Sequence, residues 1–418
     1  MFDKKILINI SSLFSIQVAT YIIPIITLPY LVRVLGIEGY GYLGFSLAII
    51  QYAILIINYG FDLSATSSIA KVKHDKRKVS IIFWSIFCIR LTAWLISLVI
   101  ILSLSIVSDT LSSTLQILVA HMTLAIGAAL FPQWLFQGKE QLGLISFVRV
   151  FAQFLSVPLL LLFVKNENDV WIAAFISGLP SLIVAIYSLF LIKKRQWVIF
   201  LKPSLREIKL QLYDGWHIFI STAAVSLYTS GVTVVLGFFS GPISVGYFVA
   251  AERIIKAVLG LYNTVSRAFY PRINAIIEKS RKDAELLVIK LGKLLLSLSL
   301  LCSVFLFVFA DFGVRILFGS GHDVTAEILK VFSILPIVIS ISNIFGVQVL
   351  IPFGYKKEFS KVLIISGFTS LLILLPLVDL YNEFGAAISV VITELLVTSL
   401  MVYKVVKLKI ISIYTRDH

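Results

Sequence analysis

The sequence predicts an all-α integral membrane protein with about twelve transmembrane helices in two six-helix bundles. Hydrophobic residues make up 59% of the 418 residues, whereas charged residues make up only 14%, well below the ~25% of soluble domains. Apolar runs near the ~20 residues that cross a bilayer as a helix recur along the chain. Lysine and arginine lie largely in alternate gaps between these runs, as expected when a chain crosses a membrane repeatedly.

Twelve apolar runs mark the predicted spans. They cover residues 6–31, 42–63, 80–107, 114–136, 144–164, 170–192, 215–237, 246–270, 289–310, 326–352, 360–378 and 385–406. The longest connection, 193–214, contains six basic residues and divides the spans into two sets of six. We therefore predict an N-terminal bundle at 1–192, a basic cytoplasmic linker at 193–214, and a C-terminal bundle at 215–418 that ends in a short cytoplasmic tail.

The distribution of basic residues predicts the orientation of the spans. Of the 36 Lys and Arg residues, 25 lie in one set of alternate gaps and in the two tails, counting the C-terminal tail from Lys404. The opposite gaps hold only Arg33, Lys165 and Arg315. Because cytoplasmic loops carry the Lys and Arg excess, both termini are predicted to face the cytoplasm.

The composition argues against several classes of function. The net charge of +14 is spread over many loops, so nucleic acid is not an expected partner, and the basic loops are expected to contact anionic lipid headgroups. The sequence contains no G-x-x-x-x-G-K-[ST], G-x-S-x-G or H-E-x-x-H motif of the kinds that mark hydrolytic or phosphoryl-transfer sites. We therefore predict a protein that is not an enzyme and has no cofactor or bound metal.

An internal repeat supports the division into two halves. Val34-Leu35-Gly36 recurs as Val235-Leu236-Gly237, in each case between the first and second spans of a half. Gln133 recurs as Gln348 near the inner end of the fourth span. Because six spans is an even number, the two halves point the same way, and a pseudo-symmetry axis along the membrane normal would relate them.

Ionisable residues inside the spans are the candidate functional residues, because a charge in the hydrocarbon core usually faces a cavity or a partner. Span 8 is the richest, and its polar residues share one helical face with Arg253 beside them: Glu252, Lys256, Gly260, Asn263 and Arg267. One interpretation is a stripe that lines an aqueous cavity. The alternative is a local i,i+4 ion pair between Glu252 and Lys256.

Other spans carry shorter polar stripes. Their members on spans 2, 5 and 7 include Gln51, Asn58, Asp62, Arg149 and His217. Helix packing in membranes also uses polar residues, so each stripe has a purely structural alternative. Arg149 and Arg267 lie near inner ends of spans, from which their side chains could also reach the interface.

Arg90 lies near the middle of span 3, with Phe83, Phe87 and Trp94 on its helical face. Two interpretations stay open: a cation–π contact holds it, or it binds a ligand phosphate. The clear intramembrane charges number five positive and two negative, with Glu394 as the second acid. A cavity of this sign attracts an anion, and guanidinium groups suit a diphosphate because they donate paired hydrogen bonds in a fixed fork.

Several segments resemble the signatures of bacterial polysaccharide transporters. They are Leu28-Pro29-Tyr30-Leu31, Arg33-Val34-Leu35-Gly36, Tyr59-Gly60-Phe61-Asp62-Leu63, Pro132-Gln133-Trp134-Leu135-Phe136, Ala250-Ala251-Glu252-Arg253-Ile254 and Tyr270-Pro271-Arg272. Together they resemble the O-antigen flippase (Wzx) type of the multidrug/oligosaccharidyl-lipid/polysaccharide (MOP) exporter superfamily. The resemblance implies a MATE-like pair of six-helix bundles around a central cleft. It also implies a substrate, a sugar repeat unit linked through diphosphate to undecaprenol, that moves from the inner to the outer leaflet of the bacterial inner membrane.

We hypothesise a lipid-linked oligosaccharide flippase that works by alternating access. The predicted substrate-binding residues are Arg90, Arg149, Arg253, Lys256, Asn263 and Arg267. The candidates for binding a coupling proton or sodium ion, or for lining the cavity, are Asp62, Glu252, Glu394, Gln51, Asn58 and His217. The expected partners are the lipid-linked substrate, membrane lipids, and the polymerase and chain-length regulator of the same pathway.

Two alternatives stay open. A multidrug or cation antiporter of the same superfamily would share the architecture, but a cationic substrate requires an acidic cavity, which the net positive count opposes. A membrane glycan polymerase is expected to display a long outer loop for its chemistry, and all the outer connections of this chain are short.

Overall fold

The computed structural model describes the backbone of residues 4–411 and the side chains of residues 23–411, apart from 261–265, 267 and 268. The described residues form thirteen α-helices, one 3₁₀ turn and one π-helical segment. Nine helical stretches in this part of the chain are long and apolar enough to cross a membrane. These features confirm the predicted all-α membrane class. The chain divides into two compact units, one up to Ala223 and one from Ala224.

The first unit contains seven complete helices and most of an eighth. Their bounds are α1 Lys4–Asn58, α2 Phe61–Val72, α3 Lys76–Val107, α4 Asp109–Leu130, α5 Gln133–Gly138, α6 Gly143–Phe163, α7 Val170–Lys194 and α8 Leu205–Tyr228. A 3₁₀ turn, Glu167–Asp169, precedes α7. Helix α8 begins inside the expected linker 193–214, so only residues 195–204 of that linker lack helical structure.

The second unit contains the remaining helices. Their bounds are α9 Ser230–Ile277, α10 Arg281–Phe318, α11 Asp323–Phe332, α12 Leu335–Asn343 and α13 Lys356–Lys407, with the π-helical segment Ile344–Leu350 after α12. A buried apolar cluster joins α10, the π-helical segment and α13, and includes Leu295, Val349, Leu350, Val362 and Met401.

Three long helices each contain one non-helical residue. Helix α1 kinks at Gly36 (φ 69°), α9 at Gly241 (φ 79°) and α13 at Asn382 (φ 48°). Glycine adopts positive φ without steric cost, and asparagine tolerates it better than most residues. The sequence repeat matched Gly36 with Gly237, but the kink in α9 lies at Gly241, four residues later, where Pro242 follows.

Small residues let α4 and α7 approach closely. A Cβ atom added to Gly127 would lie 2.7 Å from the backbone N of Leu182, and one added to Gly178 would lie 2.6 Å from the backbone N of Leu124. Close backbone approach at glycine is a typical helix contact in membranes, where van der Waals packing replaces the hydrophobic effect between helices. Helix α4 ends at Leu130, because Phe131 and Pro132 leave the helical region before α5 begins.

Helix α3 begins with a side-chain cap. The carboxylate of Asp75 accepts a hydrogen bond of 3.0 Å from the backbone N–H of Lys78, one of the donors that lack a partner within the helix. This hydrogen bond holds the pKa of Asp75 below its ordinary value. The cap therefore strengthens when the carboxyl is ionised.

Candidate functional site

A backbone turn between α1 and α2 begins the candidate site in the first unit. Tyr59 and Gly60 both have positive φ, 46° and 81°. Helix α8 packs against this turn so closely that a Cβ atom on Gly60 would lie 2.8 Å from the Cβ of Ile218. The rings of Tyr59 and Phe219 also stack, with centroids 4.6 Å apart. The turn ends α1 just after Asn58 and places Asp62 in the first turn of α2.

The guanidinium of Arg90 on α3 is buried beside this turn and is 3% exposed. Its Nη1 donates to the carbonyl oxygen of Phe131 at 2.9 Å, and its Nη2 donates to Asn58 Oδ1 at 2.7 Å and to the carbonyl oxygen of Ala128. Carbonyls at the end of a helix lack helical donors and carry partial negative charge. Arg90 therefore caps the end of α4, a role that neither of its two sequence-based interpretations included.

Arg149 on α6 lies in the same cluster and has more donors to spare. It is half-buried, and Nη1 makes one hydrogen bond, a long one of 3.3 Å to Gln133 Oε1. A guanidinium has five N–H donors. Gln153, four residues along α6, has a buried Oε1 without a hydrogen-bond partner among the described residues. This side of α6 therefore carries hydrogen-bonding groups that the described residues leave unused.

Asp62 supplies the negative charge of the cluster. Its half-buried carboxyl interacts electrostatically with both Arg90 and Arg149, yet it forms none of the close ion pairs found in the described part of the chain. Two guanidinium groups against one carboxylate leave a net positive charge in the cluster. This charge would attract an anion, and the bound anion would compete with Asp62 for Arg149.

The first unit thus brings together four of the predicted residues: Asn58, Asp62, Arg90 and Arg149. Two others lie apart from this cluster. The side chains of Gln51 on α1 and His217 on α8 are exposed, and neither forms a hydrogen bond with the cluster in the part of the chain that the structure describes.

In the second unit, α9 carries the charged residues of predicted span 8. Lys256 forms an i,i+4 ion pair of 2.6 Å with Glu252, and its side chain is 50% exposed. The local pairing that the sequence left open is therefore present. Arg253 is half-buried and makes no hydrogen bond or ion pair within the described part of the chain. The side chains of Asn263 and Arg267 lie outside the described residues, so the predicted stripe is described only as far as Gly260.

Glu394 lies on α13. Its carboxyl is half-buried and interacts electrostatically with Tyr228 at the end of α8. Glu394 forms none of the ion pairs found among the described residues. The role predicted for Glu394, binding a coupling proton or sodium ion, stays a prediction.

Sequence reasoning missed a buried polar network in the second unit. The Ser266 hydroxyl contacts Asn343 Oδ1, and Gln348 Nε2 donates to the carbonyl and hydroxyl oxygens of Ser266 at 2.8 and 2.7 Å. Gln348 is fully buried in the π-helical segment, and its Oε1 has no partner among the described residues. The repeat of Gln133 and Gln348 in the sequence was the available signal, since each glutamine hydrogen-bonds within its own unit.

The family of the chain follows from comparison with known proteins. The family described as "Polysaccharide biosynthesis protein" matches residues 6–277. A relative from Escherichia coli (strain K12), which carries the provisional name of an O-antigen transporter, is 39% identical over 396 residues. That alignment covers 94% of this chain and 95% of the relative. The chain belongs to the polysaccharide biosynthesis protein family. The predicted resemblance is confirmed.

Two solved structures have a fold similar to that of this family member. An inward-facing multidrug resistance MATE transporter of the MOP superfamily matches with a TM-score of 0.69 at 14% identity, over 100% of this chain and 97% of that one. The lipid II flippase MurJ, in an inward closed conformation, matches with a TM-score of 0.66 at 14% identity, over 96% of this chain and 87% of that one. At such identities the likeness concerns the fold alone.

Among the described residues, no group of His, Cys, Asp and Glu is placed to hold a metal ion.

Proposed function

We propose that this member of the polysaccharide biosynthesis protein family is a flippase for a diphosphate-linked oligosaccharide on a polyprenyl lipid. It moves the repeat unit from the cytoplasmic to the periplasmic leaflet of the bacterial inner membrane. The provisional name of the E. coli relative supports transport of this substrate class and a function other than catalysis. The observation that carries the proposal is Arg149, a half-buried cation in an apolar helix with one long hydrogen bond to a neutral partner.

The geometry supports different roles for the different intramembrane charges. Arg149 and Arg253 have donors free to bind a diphosphate in the first and second units, whereas Arg90 is already bound to backbone carbonyls. The ion pair with Glu252 offsets the charge of Lys256, so we assign Lys256 a weaker role. Neutral groups such as Gln153 would bind sugar hydroxyls, and the polyprenyl tail would stay in the lipid.

The transport cycle we propose is alternating access by two six-helix halves. Dividing α1, α9 and α13 at their non-helical residues would give twelve segments from the nine apolar stretches. The short segment 230–241 would complete a crossing together with α8. We retain the expected orientation, with both termini in the cytoplasm, and the expected organisation into bundles at 1–192 and 215–418 around the linker 193–214. Asp62, Glu252 and Glu394 are the candidates for a coupling proton or sodium ion.

A complementation experiment tests this function. A bacterial strain that lacks the protein should accumulate the lipid-linked repeat unit on the inner leaflet and lose the surface glycan. Plasmid-borne wild type should restore both. The measurement is the fraction of lipid-linked repeat in spheroplasts that a membrane-impermeant glycosidase can cleave, together with surface glycan on gels. Normal surface glycan in the deletion strain, with no substitute flippase, would contradict the proposal.

Variants of Arg149 test the proposed contact. Arg149→Ala should reduce export at least tenfold at unchanged protein level, since one charge-assisted hydrogen bond contributes about 1.5–3 kcal/mol. Arg149→Lys should retain part of the activity, because a lysine keeps the charge but loses the fork. Lys293→Ala is the matched control, since Lys293 is an exposed cation on the apolar helix α10. Resistance profiling would separate the multidrug exporter alternative, which predicts altered drug tolerance and normal glycan.

A further inference from the structure

The connection between α7 and α8 forms a basic and apolar surface outside the candidate site. From Lys193 to Trp216 the chain carries six basic and two acidic residues, a net charge of +4. The same residues expose large apolar side chains, namely Ile199, Phe200, Leu205, Leu210, Tyr213 and Trp216. We call residues 193–216 the linker face. Basic and apolar residues exposed together are typical of a segment that lies in a membrane interface.

Helix α3 holds the extended part of the linker face in place. The backbone N–H of Ile199 donates to the buried Ser80 hydroxyl at 2.9 Å, and the Trp84 indole donates to the carbonyl oxygen of Ile199 at 2.9 Å. Ser80 and Trp84 are four residues apart, so they lie on one side of α3. Phe200 then packs edge-on against Trp84 with ring centroids 5.1 Å apart, yet its side chain remains 77% exposed. The structure therefore holds an apolar side chain outward instead of burying it.

Trp197 anchors the basic part of the same surface. Its ring packs edge-on against Phe136 at 5.2 Å. Lys139 Nζ and the Arg195 guanidinium lie 5.4 and 5.8 Å from the centre of the Trp197 ring. A cation over an indole face is held electrostatically, so these two charges are positioned at the surface.

Further basic residues of the linker face have their charges available. Lys202, Arg206 and Lys209 are exposed and form none of the ion pairs found among the described residues. On α8, Leu205, Lys209 and Tyr213 recur every four residues and therefore share one face. Positive charge and apolar side chains thus alternate along this exposed face of α8.

We propose that the linker face is a binding surface for anionic phospholipid, with Phe200, Leu205 and Tyr213 among the acyl chains and the basic side chains around the phosphates. The excess of unpaired positive charge favours this partner, because each Lys or Arg near an anionic lipid surface contributes about a fivefold preference. Tyrosine and tryptophan are enriched at membrane–water interfaces. This inference goes beyond the proposed translocation and does not depend on it.

Lipid-borne quenching at position 200 tests the inference. The variant Phe200→Cys, in a Cys88→Ser and Cys302→Ser background, is labelled with a fluorophore and reconstituted as the full chain in bilayers. The probes are nitroxides near the headgroup, carried either by phosphatidylglycerol or by phosphatidylcholine at the same mole fraction. We expect about fivefold or greater preference for quenching by the phosphatidylglycerol probe, lost in 1 M NaCl.

A charge-matched pair of triple variants provides the control. Lys202→Gln, Arg206→Gln and Lys209→Gln together should abolish the preference. The same substitution at Arg272, Lys279 and Lys282, which are also exposed and basic and belong to the second unit, should leave it unchanged. Equal quenching by the two lipids would overturn the inference. So would a label that aqueous iodide quenches and lipid nitroxides do not, since that result would assign the surface to a protein or to solvent.

Discussion

Arg90 is predicted to stabilise the first unit, and the substitution Arg90→Met measures how much. Methionine keeps part of the apolar stem but removes all three hydrogen bonds, to Asn58, Ala128 and Phe131. The two carbonyls would then lose their charged donor and keep only turn hydrogen bonds, from Gln133 N–H to the Phe131 oxygen at 3.0 Å and from Phe131 N–H to the Ala128 oxygen at 3.3 Å. A hydrogen bond to a charged group contributes about 1.5–3 kcal/mol, but removal also recovers the desolvation cost of a buried guanidinium. The net loss should therefore be about 3–5 kcal/mol.

Thermal unfolding of the purified protein in detergent checks this magnitude. For a unit of roughly 200 residues, such a loss lowers the midpoint on the order of 10 °C. The unfolding midpoint of Arg90→Lys should lie between those of the wild type and Arg90→Met. An ammonium group cannot reach three acceptors spread over two helices as a planar guanidinium does. Arg149→Met is the matched control, since Arg149 has one hydrogen bond, of 3.3 Å, and should change the midpoint little.

The reasoning would be refuted by one pattern of results. If Arg90→Met kept the wild-type midpoint and protein level but lost export, Arg90 would be a ligand-binding residue. Its hydrogen bonds to the carbonyls of α4 would then be a resting arrangement that the substrate replaces.

Three further predictions concern packing, charge pairing and pH. Gly178→Ala should destabilise the first unit by about 1–3 kcal/mol, measured as a lower unfolding midpoint, whereas Gly313→Ala, where a Cβ meets nothing within 4 Å, should not. Lys256→Gln should lower the protein level more than the double variant Lys256→Gln and Glu252→Gln does, because the single variant leaves the Glu252 carboxylate unpaired. The coupling free energy between the two residues should be about 0.3–1 kcal/mol. Because the folded pKa of Asp75 is depressed, its stabilisation is present above pH ~4 and fades as the pH falls further, and Asp75→Asn should remove this pH dependence of the unfolding midpoint.

The hydropathy pattern was sufficient for the class of fold, because an apolar run must satisfy its backbone hydrogen bonds internally and so forms a helix in lipid. It did not distinguish a loop from a kink. Helices α1 and α13 each continue through two predicted spans, because one residue at Gly36 or Asn382 takes a positive φ. Glycine was visible as a candidate for such a position, but asparagine adopts it only when the neighbouring packing requires it.

The candidate site was predictable in its residue types more than in its contacts. Helical spacing found the pairing of Glu252 with Lys256, because that pattern lies within a single helix. It was wrong for Asn58 and Asp62, since the turn at Tyr59 and Gly60 places them on different helices, α1 and α2. The partners of Arg90 could not be found in this way. Its acceptors include carbonyl oxygens that lack an i+4 helical donor because α4 ends before Pro132, and the spacing of side chains along one helix does not reveal a carbonyl at the end of another.

The sequence by itself determined that this protein crosses a membrane many times, belongs to the polysaccharide biosynthesis protein family, and carries more positive than negative charge inside its predicted spans. These properties depend on residue type and order. The tertiary structure alone decided which of the two guanidinium groups in the first unit is free: Arg90 is bound to the end of a neighbouring helix, whereas Arg149 is left with unused donors. The physical reason is that the availability of a charge depends on the groups that other helices bring within hydrogen-bonding distance.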